Sequence, residues 1–378
     1  MKKKIIFLTG TRADYGKLKP LIKIVNNQKK FQTIVFSTGM HLLKSYGSTY
    51  TEILKDFKKI KLYKIPNQKK SDKMDKVLVN SLKIYEKYFN KIKPDLVVIH
   101  GDRVETLAAS IYCNLNNILI SHIEGGEVSG TVDESLRHAT SKLSHVHFVS
   151  NQKAKKLLVR LGELKKSIHV IGSPEVDTML SKNLPNISQV KERYDISFDK
   201  YGILLFHPVT TINSSEIINQ CKNLFHAIQK SKKNYVVIYP NNDNHSDKIL
   251  RYLRKLEKNK KFRILPSLRF EHYLSLLKNS DFIIGNSSSG VREAPVFGIY
   301  SINLGDRQYN RIKNRLIINS DFNKNKILNY INNISKKKLK KSIFNFGHGD
   351  SAKKFLNIIN SKSFWKTKKQ KYFAINKK

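Results

Sequence analysis

Short apolar runs alternate with helix-periodic stretches along this chain, and the alternation runs through twice. In the first half, apolar runs at residues 5–8, 33–37, 96–100, 118–123, 146–149 and 168–171 are separated by helix-periodic stretches at 17–27, 76–89, 105–113, 134–143 and 152–161. In the second, runs at 203–206, 235–239, 262–265, 282–284 and 300–302 are separated by stretches at 214–229, 246–256, 271–277 and 290–296. A short apolar run bounded by turn residues reads as a strand buried on both faces, and strands alternating with helices read as a parallel, doubly wound sheet. The expected fold class is therefore α/β, with two Rossmann-like doubly wound domains facing a cleft. The expected boundaries are 1–172 for the first domain, 173–200 for a linker and 201–365 for the second domain with its closing helices. Residues 366–378 are expected to form a frayed basic tail.

The length of 378 residues suits two domains. Lys and Arg number 71 against 29 Asp and Glu, a net charge of +42. That balance raises a nucleic-acid reading. The lysines, however, are spread along the whole chain among Asn and Ile, with no basic patch interleaved with aromatic residues for bases to stack on. What survives is a general attraction for anionic ligands. Cys113 and Cys221 lie far apart, so neither a disulfide framework nor a metal spacing follows. The opening Lys2-Lys3-Lys4 precedes an apolar run too short for a signal peptide, and no run approaches the length of a membrane span. The expected place is the cytoplasm, with no nucleic acid and no membrane as partner.

Ligands of open α/β sheets bind beyond the C-terminal ends of the strands, so the residues that follow each apolar run matter most. The richest stretch is residues 122–138, where Glu124, Glu127, Asp133 and His122 fall around a glycine pair, with Asp133 placed to cap the following helix. After the first strand, Gly10-Thr11-Arg12 puts small residues and a guanidinium at a helix start, a combination suited to an anion. His100-Gly101-Asp102-Arg103 ends another strand; Asp102 fits either a catalytic carboxylate or a helix cap. In the second half, His207 and Asn241 sit at strand ends. Gly285-Asn286-Ser287-Ser288 opens onto Glu293, with hydroxyls and N–H groups for a diphosphate and a carboxylate for ribose hydroxyls. Neither half has Gly-x-Gly-x-x-Gly after its first strand, so no nicotinamide cofactor is expected.

Taken together these residues resemble the hydrolysing UDP-N-acetylglucosamine 2-epimerases of sialic-acid biosynthesis. The pieces that carry the likeness are Thr11-Arg12-Ala13-Asp14-Tyr15, His100-Gly101-Asp102-Arg103, residues 122–138, His207-Pro208-Val209, Gly285-Asn286-Ser287-Ser288 with Arg292-Glu293, and Gly305-Asp306-Arg307-Gln308, spanning residues 1 to about 315. The resemblance implies a GT-B-like fold and release of UDP and N-acetylmannosamine without a cofactor or metal. It implies Asp102, Glu124 and Asp133 as catalytic carboxylates, joined by His207. For the UDP portion it implies Arg12, Arg103, His207, Asn241, Ser287, Ser288, Glu293 and Arg307. It also implies a homo-oligomer. Gly16 departs from the animal enzyme's Ser, and Ile312-Lys313-Asn314-Arg315 replaces the family's Gly-x-Glu-Asn element.

Two alternatives stay open on these residues. One is a hydrolysing epimerase of UDP-N,N′-diacetylbacillosamine, in legionaminic acid synthesis; Glu124 resembles the sialic-acid branch instead. The other is a GT-B glycosyltransferase on the same UDP site, which would have no use for the carboxylates. The non-hydrolysing epimerases carry Pro-Glu-Glu-x-Asn-Arg where this chain has Asp133-Glu134-Ser135-Leu136-Arg137-His138.

Overall fold

The computed structural model describes residues 2–129, 132–209, 211–240, 243, 245–308, 311–334 and 342–374. The fold is α/β, built on two parallel sheets with interleaved helices. The chain divides into two units: one is Met1–Glu127, Asp133–Ser181 and Phe346–Lys378, and the other is Val128–Val132 and Lys182–Asn345.

The first unit holds β1 (Lys3–Thr9), β2 (Phe31–Thr38), β3 (Lys61–Ile65), β4 (Leu96–His100), β5 (Ile120–Ile123), β6 (Val146–Val149) and β7 (Ile168–Val170). They form a 7-stranded sheet in the order β3-β2-β1-β4-β5-β6-β7. Strands in such a sheet are covered on both faces, so both side-chain alternations must be apolar. Accordingly Ile5 and Phe7 enter one core with Val98 and Phe148, while Ile6 and Leu8 enter the other with Phe36, Val97 and Phe89.

The second unit holds β8 (Gly202–Leu205), β9 (Tyr235–Ile238), β10 (Phe262–Leu265), β11 (Phe282–Gly285), β12 (Tyr300–Leu304) and β13 (Ile317–Ser320), in the order β10-β9-β8-β11-β12-β13. In each sheet the order reverses next to the first strand, between β1 and β4 and between β8 and β11. Chain connections leave there in opposite directions, which opens a crevice at the strand ends.

Several sequence expectations are revised. Residues 173–200 are not a plain linker: they contain the helices Pro174–Met179 and Ile187–Arg193. The first is tied to the opening helix by a buried pair, Lys17 Nζ to Glu175 Oε2, at 2.5 Å. The helix expected at 290–296 shrinks to Glu293–Val296, after a 3-10 turn at Ser288–Gly290. Gly298, in the left-handed region at φ +72°, ends it.

The largest revision concerns the end of the chain, where the second domain was expected to run to 365. The helix Ser351–Asn360 belongs to the first unit, because Phe355 packs there, edge-on to Phe148 with ring centroids 4.7 Å apart. Losing a buried ring of this kind costs about 3–5 kcal/mol. Asp177 caps the same helix, accepting from the N–H groups of Ser351 at 3.0 Å and Ala352 at 2.8 Å. Nor are residues 366–374 frayed: Ala374 N–H donates to Gly162 O at 2.8 Å, and Lys371 is held by three acceptors. Among the described residues, no helix is long and apolar enough to cross a membrane.

Candidate active site

At the β1/β4 reversal the loop after β1 folds back on itself. Thr11 caps the first helix by accepting from Asp14 N–H, and Asp14 in turn accepts from Gly10 N–H at 3.0 Å. The other Asp14 oxygen lies 2.7 Å from His100 Nδ1, at the end of β4. His100 Nε2 is 3.2 Å from Glu124 Oε2, and Ser173 Oγ donates to the other Glu124 oxygen. A buried row thus runs Asp14, His100, Glu124, Ser173.

Glu124 reaches this row through a left-handed backbone, φ +64°. A non-glycine residue there stores on the order of 1–3 kcal/mol, which the surrounding contacts must offset. Gly126 follows with φ +76°; a Cβ on it would lie 2.5 Å from Ala154 O, so no side chain fits.

Burial by itself would lower the His100 pKa. Hydrogen bonds and charge from Asp14 and Glu124 outweigh burial and bring it to about 9. His100 is therefore an imidazolium at neutral pH, donating to both carboxylates. Its folded pKa exceeds the unfolded value of about 6.5. The stability it contributes is then fully present below that value and is lost as pH rises through 9. Thermal midpoints measured from pH 6 to pH 10 should fall across this window, and His100→Gln should flatten that part of the curve. A wild-type curve with no slope between pH 6.5 and 9 would contradict the charged state.

One strand further along, Arg137 lies on the helix Val132–Leu143 with 2% of its surface exposed. Its guanidinium donates to Asp102 and, at 3.0 Å, to Glu127 O. Burial works against the charge, and the Asp102 and Glu127 carboxylates more than offset it. Asp102 is not a helix cap, since Arg103 occupies the cap position of the next helix with no side-chain capping bond. Nor is Asp133 a cap: the helix starts at Val132, which puts Asp133 in the first turn, where a carboxylate is favoured by the helix dipole.

His122 bridges Ser141 Oγ at 2.9 Å and Gly101 O at 2.7 Å, and burial lowers its pKa to about 3. It is a neutral strut, not a proton carrier. Arg12 faces Glu52 at 3.6 Å and Arg103 Nε faces Glu105 at 3.5 Å.

At the β8/β11 reversal of the second unit, His207 and Asn286 lock the two strand ends together. His207 N–H donates to Asn286 Oδ1 at 2.7 Å, and Asn286 Nδ2 donates to His207 O at 2.8 Å. The strands meet so closely that a Cβ on Gly285 would lie 1.9 Å from Leu205 O. Asn286 O also accepts from Arg307 at 3.3 Å and from Gln308 at 3.1 Å, so the guanidinium is drawn to the same strand end. Burial, then the Arg307 charge, lowers the His207 pKa to about 3. His207 is therefore neutral and can offer a hydrogen bond but no positive charge. Ser287 accepts from Ser289 N–H, Ser288 starts the 3-10 turn, and Glu293 is buried at the first position of its short helix.

The family model described as UDP-N-acetylglucosamine 2-epimerase matches residues 23–360. The chain belongs to the UDP-N-acetylglucosamine 2-epimerase family. A relative from Neisseria meningitidis serogroup B, named UDP-N-acetylglucosamine 2-epimerase, is 42% identical over 98% of each chain. One from Legionella pneumophila, named UDP-N,N′-diacetylbacillosamine 2-epimerase (hydrolyzing), is 33% identical over 95% of this chain and 96% of its own. The fold resembles a crystal structure of the Methanocaldococcus jannaschii UDP-GlcNAc 2-epimerase in complex with UDP-GlcNAc and UDP. That likeness has a TM-score of 0.80 at 24% identity and covers 94% of this chain and 99% of the other.

In this epimerase-family chain the sequence-selected residues fall into two groups by unit. Arg12, Asp102, Arg103, Glu124 and Asp133 belong to the first, and His207, Ser287, Ser288, Glu293 and Arg307 to the second. Asn241 lies outside the described residues. The sequence reading had not singled out His100, Asp14, Arg137 or Ser173 as site residues. His100 had a usable signal, as a histidine closing a buried strand at the sheet reversal. So did Arg137, one helical turn beyond Asp133 and on the same face. Ser173 had none, since 49 residues separate it from Glu124.

Proposed function

We propose that this chain is a hydrolysing UDP-N-acetylglucosamine 2-epimerase, converting UDP-N-acetylglucosamine and water to N-acetylmannosamine and UDP, in the cytoplasm, for sialic-acid synthesis. The observation that carries the reading is Glu124, held in a strained backbone by His100 and Ser173, one strand from the Arg137–Asp102 pair.

The proton at sugar C2 is not acidic in the starting sugar, so it leaves only as the C1–O bond to UDP breaks. A carboxylate takes the proton, the electron pair becomes the C1–C2 double bond, and UDP departs with the bonding electrons. A carboxylic acid then returns a proton to C2 on the other face while water adds its oxygen at C1, and the proton the water sheds passes to a carboxylate. Asp102, Glu124 and Asp133 provide the acid and base, as carboxylates in unlike settings can. Arg12, Arg103 and Arg307 stabilise the departing diphosphate, with Ser287, Ser288 and the neutral imidazole of His207 as hydrogen-bond donors. Glu293 and Asn241 hold the nucleoside. The hydrolysing outcome rests on the segment at 133–138, which lacks the pattern of the non-hydrolysing enzymes, and on the hydrolysing relative at 33% identity.

The second reading, a UDP-N,N′-diacetylbacillosamine substrate, is favoured by that same relative; the 42% relative favours UDP-N-acetylglucosamine. A site that hydrogen-bonds the C4 and C6 hydroxyls discriminates strongly against a sugar with an acetamide at C4 and a methyl at C6, because its own polar groups lose their partners. Side-by-side assays without added cofactor should give a kcat/KM at least ~10²-fold higher for UDP-N-acetylglucosamine. A higher kcat/KM for the bacillosamine sugar would reverse the substrate assignment.

A further inference from the structure

The helix Val132–Leu143 carries Asp133 in its first turn and Arg137 one turn on, and its far end is gripped by the last described stretch of the chain. Lys371 Nζ donates to Ser141 O at 2.9 Å and Ser144 O at 2.6 Å, and pairs with Glu163 Oε2 at 2.9 Å. Carbonyls at a helix C-terminus form the negative end of the helix dipole, so an ammonium there supplies both hydrogen bonds and complementary charge. Glu163 is itself fixed by His147 Nε2 at 3.0 Å and Lys142 at 3.6 Å.

The stretch around Lys371 is anchored independently. Lys369 O lies 2.8 Å from His145 Nε2, and Ala374 N–H donates to Gly162 O at 2.8 Å. A cavity of about 440 Å³ lies beside these contacts, lined by His145, Glu163, Phe364 and Lys371 among others.

The grip continues toward the strand ends. Ser141, whose carbonyl Lys371 holds, bonds through its hydroxyl to His122 Nδ1, and His122 Nε2 faces Gly101 O, the residue before Asp102. Lys371 thus stands at one end of a bonded path that ends beside Asp102, along a helix whose Arg137 holds Asp102 directly.

We propose that residues 366–374 clamp this helix and that Lys371 is a positioning residue for Asp133, Arg137 and Asp102. The proposal rests on the reading that those groups act on the substrate. In the full chain, Lys371→Met keeps the aliphatic stem and removes every donor. It should lower kcat by ~10-fold, the scale of a small misplacement of catalytic groups, with KM for UDP-N-acetylglucosamine within about twofold. Amide hydrogen exchange at residues 137–144 should quicken. Lys371→Arg, which can donate to the same carbonyls, should recover most of kcat. Should Lys371→Met not fold, Ala374→Pro removes the anchoring N–H instead and should shift kcat and exchange the same way.

An unchanged kcat in the folded variants would overturn the proposal, even if exchange quickened. A wild-type chain inactive on both UDP-sugars would defeat the functional reading instead. The exchange comparison would still judge the clamp, and unchanged exchange would overturn it.

Discussion

Glu124→Gln should cut turnover of UDP-N-acetylglucosamine by ~10²-fold or more while leaving the protein folded. The amide matches the carboxylate in shape, so the left-handed turn at φ +64° and the packing of Gly125-Gly126 remain. What it cannot do is take or return a proton at neutral pH. It also weakens one of the two carboxylate contacts to the His100 imidazolium, which should lower the His100 pKa from about 9. A 10² loss corresponds to about 2.7 kcal/mol of transition-state stabilisation. Steady-state UDP release, with circular dichroism and a thermal midpoint as controls for folding, checks this. Turnover within twofold of wild type would remove Glu124 from the chemistry. Asp102→Asn and Asp133→Asn belong in the same series, with losses of the same order expected.

Arg137→Met should damage both stability and rate. The guanidinium is buried and joins Asp102 to the backbone at Glu127, tying the ends of two strands to one helix. Replacing it with an apolar side chain of similar length leaves that carboxylate without its cation in a partly buried place. Removing one member of such a pair costs about 3–5 kcal/mol when both are fully buried. Asp102 keeps 31% of its side chain exposed, so about 2 kcal/mol is expected here. Turnover should fall by ~10²-fold, because Asp102 loses the contact that fixes its direction. Arg137→Lys keeps the charge but not the planar fork that serves two acceptors at once, and should recover stability better than rate. Urea unfolding and kcat measured on the same preparations separate the two effects. Equal stability and rate in Arg137→Met would show that the pair is incidental.

The strands in the middle of each sheet were legible because burial on both faces leaves an uninterrupted apolar run, as in β4 and β11. The edges were not. β3 carries exposed Lys61 and Lys64, which point to opposite faces, and β13 is polar at Asn319 and Ser320, so neither presents an uninterrupted run of apolar residues. The return of residues 346–374 to the first unit was hidden for a different reason. Phe355, Ile359 and Phe364 announce a buried face, but periodicity does not say which sheet buries it.

The site divides along the same line. Asp102 and Glu124 lie at strand ends, where topology alone marks a ligand edge. The partners that set their charge and direction, His100, Ser173 and Arg137, depend on side chains meeting across strands and helices far apart in the chain. His207 shows the limit from the other side. Its place at the end of β8 was readable, but its neutral state follows from burial and the nearby Arg307, which only the folded chain supplies.

The most direct test of the proposed chemistry is to run the reaction on UDP-N-acetylglucosamine in heavy water and examine the product by proton NMR and mass spectrometry. Elimination followed by hydration predicts free N-acetylmannosamine and UDP, with one solvent deuterium at C2 of every product molecule. A released sugar that keeps its original C2 proton, or an epimerised sugar still attached to UDP, would contradict the account.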